Sequence, residues 1–129
     1  MEVRRRTIKS YVLRQGRLTR GQQQALEKLW PVYGIDFEAK QLDLDSLFKR
    51  SAPKTLEVGF GNGDSLFHQA MSNPNSYYIG IEVHRPGVGH LLHLAGDAGI
   101  TNLRVINHDA VEVLQQQIPD HSLECVQLF

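Results

Sequence analysis

Three acidic residues and three alternate glycines are spaced as a binding site requires. Leu56-Glu57-Val58-Gly59-Phe60-Gly61-Asn62-Gly63 sets an acid just before the glycine run. Glu82 closes a second apolar stretch 23 residues after Gly59, and Asp109 follows a third, Leu103–Asn107. Alternate glycines let the backbone turn tightly and let a ligand approach it closely. Carboxylates gathered at such a turn attract positive charge and accept hydrogen bonds from hydroxyl and amino groups, and they repel phosphate.

The elements that position these residues follow from the apolar pattern. Thr55–Phe60 reads as a buried strand, followed by the glycine turn and a helix over about Asp64–Ser72 that Asn73-Pro74 stops. Tyr77–Glu82 is a second strand. Pro86 suits a first helical turn, Val88, Leu91, Leu92, Ala95 and Ala98 give that helix its apolar face, and Gly99 suits its end. Leu103–Asn107 is a third strand, Ala110–Gln117 a short helix closed by Pro119, and Leu123–Phe129 a fourth strand. Strands alternating with helices imply an α/β fold with a parallel sheet and right-handed crossovers. The acids then lie at the C-terminal ends of the strands, where open α/β sheets bind ligands. Upstream, Thr19 and Gln22 form a capping box for a helix carrying Ala25, Leu26, Leu29 and Trp30 on one face, which Pro31 and Gly34 end. Residues 36–53 read as a mixed connector.

Two nucleotide chemistries compete for this turn. A dinucleotide fold uses G-x-G-x-x-G with a pyrophosphate on the helix N-terminus, but Asp64 stands where that pattern needs glycine. S-adenosylmethionine (SAM) has no phosphate and carries a sulfonium and an ammonium, so Glu57 attracts it. Glu82 can accept from both ribose hydroxyls, as the acid after strand two does in dinucleotide folds. Asp109 can accept from the adenine amino group, with Asn107-His108-Asp109-Ala110 offering backbone groups to the ring edge. Gly59, Gly61 and Gly63 complete the cofactor-binding set. The competing structural reading has Glu57 capping a loop and Glu82 and Asp109 capping helices. His84 lies close enough to Glu82 to line the same pocket. His90 and His93 lie three apart on one helix, but no acid or thiol at matching spacing completes a metal set, so no metal is expected. Cys125, the single cysteine, reads as buried packing in a strand.

The formal net charge of zero conceals an asymmetry. Residues 1–20 hold Arg4, Arg5, Arg6, Lys9, Arg14, Arg17 and Arg20 against Glu2, a balance of 7 − 1 = +6, and the remainder carries −6. A basic arm on an acidic body suits a polyanion, and Tyr11 adds a stacking ring that favours RNA. The residues AVILMFWYC make up 41% of the chain, enough for a packed core. No apolar run reaches the roughly 18 residues of a membrane helix, and the basic start lacks the apolar stretch of a signal peptide. One cysteine excludes an internal disulfide framework and fits a reducing compartment, the cytoplasm. The apolar Leu123, Val126, Leu128 and Phe129 suggest a fragment of a longer protein and an exposed strand-four edge open to self-association.

The chain resembles the N-terminal half of the bacterial tRNA (guanine-N7-)-methyltransferases. The resemblance rests on Ser10-Tyr11-Val12-Leu13-Arg14-Gln15-Gly16-Arg17-Leu18-Thr19-Arg20-Gly21-Gln22, on the glycine segment Leu56–Gly63, on Gly80-Ile81-Glu82-Val83-His84-Arg85-Pro86-Gly87, and on His108-Asp109-Ala110-Val111-Glu112-Val113-Leu114. It implies a Rossmann-like class I methyltransferase sheet, truncated after about four parallel strands. SAM would be the cofactor, and the target would be N7 of a guanine in the tRNA variable loop. It also implies that Glu57, Glu82 and Asp109 are cofactor-binding acids. In the family an aromatic-Pro-Asp-Pro-Trp motif and a basic run follow strand four, so the catalytic residues are expected beyond Phe129 and this chain alone is expected to be inactive. The division is then a basic arm (1–18), a helix and connector (19–53), and an incomplete SAM-binding half (54–129). The alternatives are a non-catalytic SAM- or RNA-binding fragment and an NAD-binding oxidoreductase domain.

Overall fold

The computed structural model describes residues 18–49 and 51–128. The arm residues Arg4 to Arg17, Tyr11 and Phe129 lie outside the described residues. Helix α1 is Arg20–Tyr33 and α2 is Leu44–Phe48. Then come β1 (Lys54–Val58), α3 (Asp64–Ser72), β2 (Tyr77–Ile81), α4 (Arg85–Ala98), β3 (Leu103–Ile106), α5 (Ala110–Gln116) and β4 (Cys125–Leu128). The strands form one sheet in the order β3-β2-β1-β4, parallel at every pairing. The α/β architecture and the alternation expected from the sequence are both present, with strand ends trimmed by one or two residues.

The sheet separates two apolar clusters. On one side Phe60, Leu66, Val88, Leu91, Leu92 and Ala95 pack with Ala25 and Tyr33 of α1. On the other, Leu56, Ile79, Ile81, Ile106 and Val113 pack with Leu44 and Phe48 of α2. Each fully buried side chain of this size contributes about 1.5–3 kcal/mol of burial. Gln22 lies against Gly89 and Leu29 against Gly96, so α1 runs parallel to α4 and both helices begin at the C-terminal end of the sheet.

Three expectations need correction. Helix α1 is capped by Gly34 as expected, but Pro31 lies inside it and does not stop it: the helix continues to Tyr33. Proline removes one N–H and does not break every later bond. Gly34 N–H still reaches the Trp30 carbonyl at 2.7 Å, and Tyr33 Oη donates to the Ile100 carbonyl at 2.7 Å, which anchors the last turn. The connector holds a short helix, α2, capped by Asp43, whose side chain accepts from Ser46 N–H at 3.2 Å. Five residues are too few to show a helical period. Cys125 is exposed, not buried, because among the described residues β4 is an edge strand paired with β1 alone, and Val126 and Leu128 are exposed beside it.

Candidate cofactor site

The three acids occupy the ends of three neighbouring strands. Val58 is in register with Ile81, and Ile81 with Ile106, so β1, β2 and β3 end level with one another. Gly59 N–H donates to Ile81 O at 2.8 Å, and Glu82 N–H to Ile106 O at 3.1 Å, which extends the ladder into the loops. Glu57 falls one residue before the end of β1, Glu82 one residue after β2, and Asp109 three residues after β3.

The glycine turn has the conformation its composition requires. Gly59, Gly61 and Gly63 have φ of 72°, 65° and 79°, the left-handed region that side chains disfavour. Glu82 fastens this turn. Its Oε1 accepts from Gly61 N–H at 2.6 Å, and its Oε2 accepts from Val83 and His84 N–H at 3.0 Å each. Gly87, in the first turn of α4, comes so close that a Cβ there would lie 1.9 Å from the Gly61 carbonyl oxygen. The Asn107 side chain donates to the Glu82 carbonyl at 2.7 Å, joining the β3 loop to the same cluster.

The acids differ in how far the protein satisfies them. Glu82 already takes three backbone N–H bonds, and its oxygens keep acceptor capacity for more. Asp109 caps α5, accepting from Glu112 N–H at 3.4 Å, so the helix-cap reading holds for it in part. Glu57 is different. It is 3% exposed, and its Oε2 has no hydrogen-bond partner among the described residues. Burial pushes its carboxyl above the usual carboxylate range. A buried, unpaired acceptor costs free energy unless a ligand completes it, and a cationic group is what a carboxylate would accept.

The remaining candidates take quieter positions. His84 is the N-cap residue of α4 and sits half-buried beside Glu82. His90 Nε2 lies 3.0 Å from Asp64 Oδ1, while His93 is exposed on the same helix. His108 pairs with Glu112 at 2.9 Å and stacks on Phe37 with centroids 3.8 Å apart. Sequence reasoning missed the Asn107 side chain, Gly87 and Phe37. The spacing of Gly87 after Glu82 was visible, but the contact it permits arises only when two separate loops meet.

Among known proteins, a family model described as "Putative methyltransferase" matches residues 51–129. The tRNA (guanine-N(7)-)-methyltransferase of Aeromonas hydrophila is 60% identical over 124 residues, covering 96% of this chain and 52% of that protein. The enzyme of the same name from Sodalis glossinidius gives the same values. The one from Hydrogenovibrio crunogenus is 56% identical over 125 residues, covering 97% of this chain and 52% of its own length. The chain thus spans about half the length of the curated relatives it matches. Two solved structures share the fold at 15% identity. One is an antibiotic-related methyltransferase, with a TM-score of 0.54 over 67% of this chain and 44% of that one. The other is Haemonchus contortus phosphoethanolamine N-methyltransferase 2 in complex with S-adenosyl-L-methionine, with a TM-score of 0.50 over 95% of this chain and 24% of that one. With a family model over more than half of its residues, the chain belongs to the family described as "Putative methyltransferase", and the relatives it resembles at 56–60% identity are tRNA (guanine-N(7)-)-methyltransferases.

Proposed function

We propose that this chain is the SAM-binding half of an enzyme that methylates N7 of a guanine in tRNA. The observation that carries the reading is Glu57 Oε2, buried near the end of β1 beside a glycine turn with no hydrogen-bond partner among the described residues. Its chemistry fits a cofactor with an ammonium and a sulfonium and no phosphate. When bound, SAM supplies an electrophilic methyl group. Glu57 offers negative charge to the cofactor's cationic end. Glu82 holds the turn in place and keeps acceptor capacity for ribose hydroxyls, and Asp109 offers an acceptor to the adenine amino group. Gly59, Gly61 and Gly63 keep side chains out of the path of approach.

Guanine N7 has an in-plane lone pair and no proton to lose, so the reaction asks this half for no general base. Its contribution is orientation and exclusion of water, which together supply much of the acceleration of a displacement. A carboxylate near the cationic product base would add electrostatic stabilisation, and we assign that role to no residue up to Phe129. The basic arm at residues 1–17 is the part suited to tRNA phosphates. The open β4 edge, with Leu128 81% exposed, supports self-association through that edge. Transfer of a labelled methyl group from SAM to unmodified tRNA, by the chain joined to the remaining length of its relatives, tests the activity. Label appearing on N7 of guanine supports it, and label on any other atom contradicts it.

A further inference from the structure

The segment between α1 and α2 is built against the sheet. Gly34 forms a parallel bridge with Val105, and Ile35 N–H donates to the Val105 carbonyl at 2.8 Å, so this stretch lies alongside β3 and runs with it. Phe37 falls three residues past Gly34, and His108 three past Val105. Their rings meet, stacked with centroids 3.8 Å apart and planes 8° apart. The stretch is fastened at Asp36, whose Oδ1 accepts from Trp30 Nε1–H at 2.8 Å and whose carbonyl accepts from the amide of the fully buried Gln117 at 3.2 Å. Glu112 holds the His108 ring a second time, its Oε1 lying 2.9 Å from Nε2. A carboxylate only accepts, so Nε2 carries the hydrogen of that bond. The two side chains are 29% and 23% exposed, which shields the bond from most of the competition with water.

We propose that Phe37, His108 and Glu112 form a clamp that sets the position of Asp109 and thereby this half's preference for adenine. The inference rests on the proposed reading in which Asp109 accepts from the adenine amino group. Asp109 sits between two members of the clamp. It directly follows His108, and its Oδ2 accepts from the Glu112 backbone N–H at 3.4 Å. That cap is long for a hydrogen bond, so by itself it fixes the carboxylate weakly. The stacked ring holds the backbone on one side of Asp109, and the His108–Glu112 bond ties it to the first turn of α5 on the other. Asn107 completes the anchorage through its 2.7 Å bond to the Glu82 carbonyl. Hydrogen bonds weaken steeply with misalignment, so an acid that must meet one amino group depends on neighbours whose own rotamers are locked. Phe37, His108 and Glu112 are therefore positioning residues that act through Asp109.

The experiment titrates the full chain with S-adenosylhomocysteine, with its purine analogue lacking the 6-amino group, and with its 2′-deoxy analogue. The first analogue reports the contact assigned to Asp109, and the second the ribose contact assigned to Glu82. Wild type should bind the analogue without the amino group at least about tenfold more weakly than S-adenosylhomocysteine. Phe37→Leu keeps apolar bulk and loses the ring face. Glu112→Ala removes the carboxylate that holds His108 and leaves the backbone N–H that caps α5. In both, the preference for the amino group should fall to about threefold or less, while the preference for the 2′-hydroxyl stays within about twofold of wild type. Phe37→Tyr preserves the stack and should restore the full preference. Should Phe37→Leu fail to fold, Glu112→Ala decides alone. S-adenosylhomocysteine binding with no amino-group preference in wild type overturns the proposal and spares the cofactor reading. So does a full preference kept by either loss variant, a ribose preference that collapses in parallel, or a preference lost in Phe37→Tyr. A wild-type chain that binds no S-adenosylhomocysteine overturns both.

Discussion

Glu82 accepts a 2.6 Å hydrogen bond from the backbone N–H of Gly61, so the acid that follows β2 holds the turn that follows β1. Two further N–H groups, of Val83 and His84, share its second oxygen. Glu82→Gln replaces an acceptor with an amide NH2 that must face an N–H donor. Bonds to a charged acceptor are worth about 1.5–3 kcal/mol, and the variant should lose that order of stability in urea unfolding. Cofactor affinity should fall with it, because the turn loses its tether. Unchanged stability would show that the 2.6 Å bond does not hold the turn.

Gly87→Ala tests the same junction from the other side. Its Cβ would meet the Gly61 carbonyl at 1.9 Å, a contact that only backbone movement can relieve. Overpacking of this kind costs about 1–3 kcal/mol. The expected outcome is a lowered melting temperature together with weakened S-adenosylhomocysteine binding in a titration. Gly99→Ala is a fair control for helix α4, since no atom lies within 4 Å of its added Cβ and the turn is remote from it. It should cost stability through its positive φ of 68° and leave binding intact.

Much of this architecture was legible in the residues. Asp64–Ser72 shows its helix in full, because Gly63 and Asn73-Pro74 bracket an apolar stripe. The capping box of Thr19 and Gln22 is present as the spacing requires. The places of the acids at the strand ends were legible because those ends are marked by abrupt changes from apolar to polar residues. What escaped was set by tertiary contact. The last turn of α1 survives Pro31 because Tyr33 is anchored on Ile100, 67 positions away. Cys125 looks like core in a strand pattern, yet the strand order puts it on an edge, and order is not written in any local stretch. Burial left Glu57 without a partner for Oε2, a fact that no spacing rule conveys.

The raised carboxyl of Glu57 gives a pH dependence with a definite sign. Its folded value lies above its unfolded one because burial disfavours the charge. The unliganded fold therefore gains from the protonated form at low pH, and that contribution is lost as pH rises from the unfolded value through the folded one. Cofactor binding runs the opposite way, since a cationic ligand needs the ionised carboxylate. Affinity should be full above the raised value and fall by up to about tenfold per pH unit below it. Measuring affinity across this range in wild type and in Glu57→Gln checks the assignment. The variant should lose this step, and an identical profile in both proteins would move the titration elsewhere.

The arm should act on RNA and not on the cofactor. Residues 1–17 hold six of the seven basic side chains among the first 20. Their removal should weaken tRNA binding and flatten the slope of log affinity against log salt, by about 0.9 per lost phosphate contact on a duplex. S-adenosylhomocysteine affinity should be unaffected. An unchanged slope would place the RNA contacts on the body of the protein.

The most direct test of the central claim is calorimetric titration of the chain with S-adenosylhomocysteine and, separately, with NAD, repeated on Glu57→Gln. The predicted result is saturable binding of S-adenosylhomocysteine at one site, NAD at least about a hundredfold weaker, and a loss of about tenfold or more in the variant. Tighter binding of NAD, or a Glu57→Gln chain that binds S-adenosylhomocysteine as well as wild type, would contradict the claim that this buried carboxylate was shaped for a cationic, phosphate-free nucleoside.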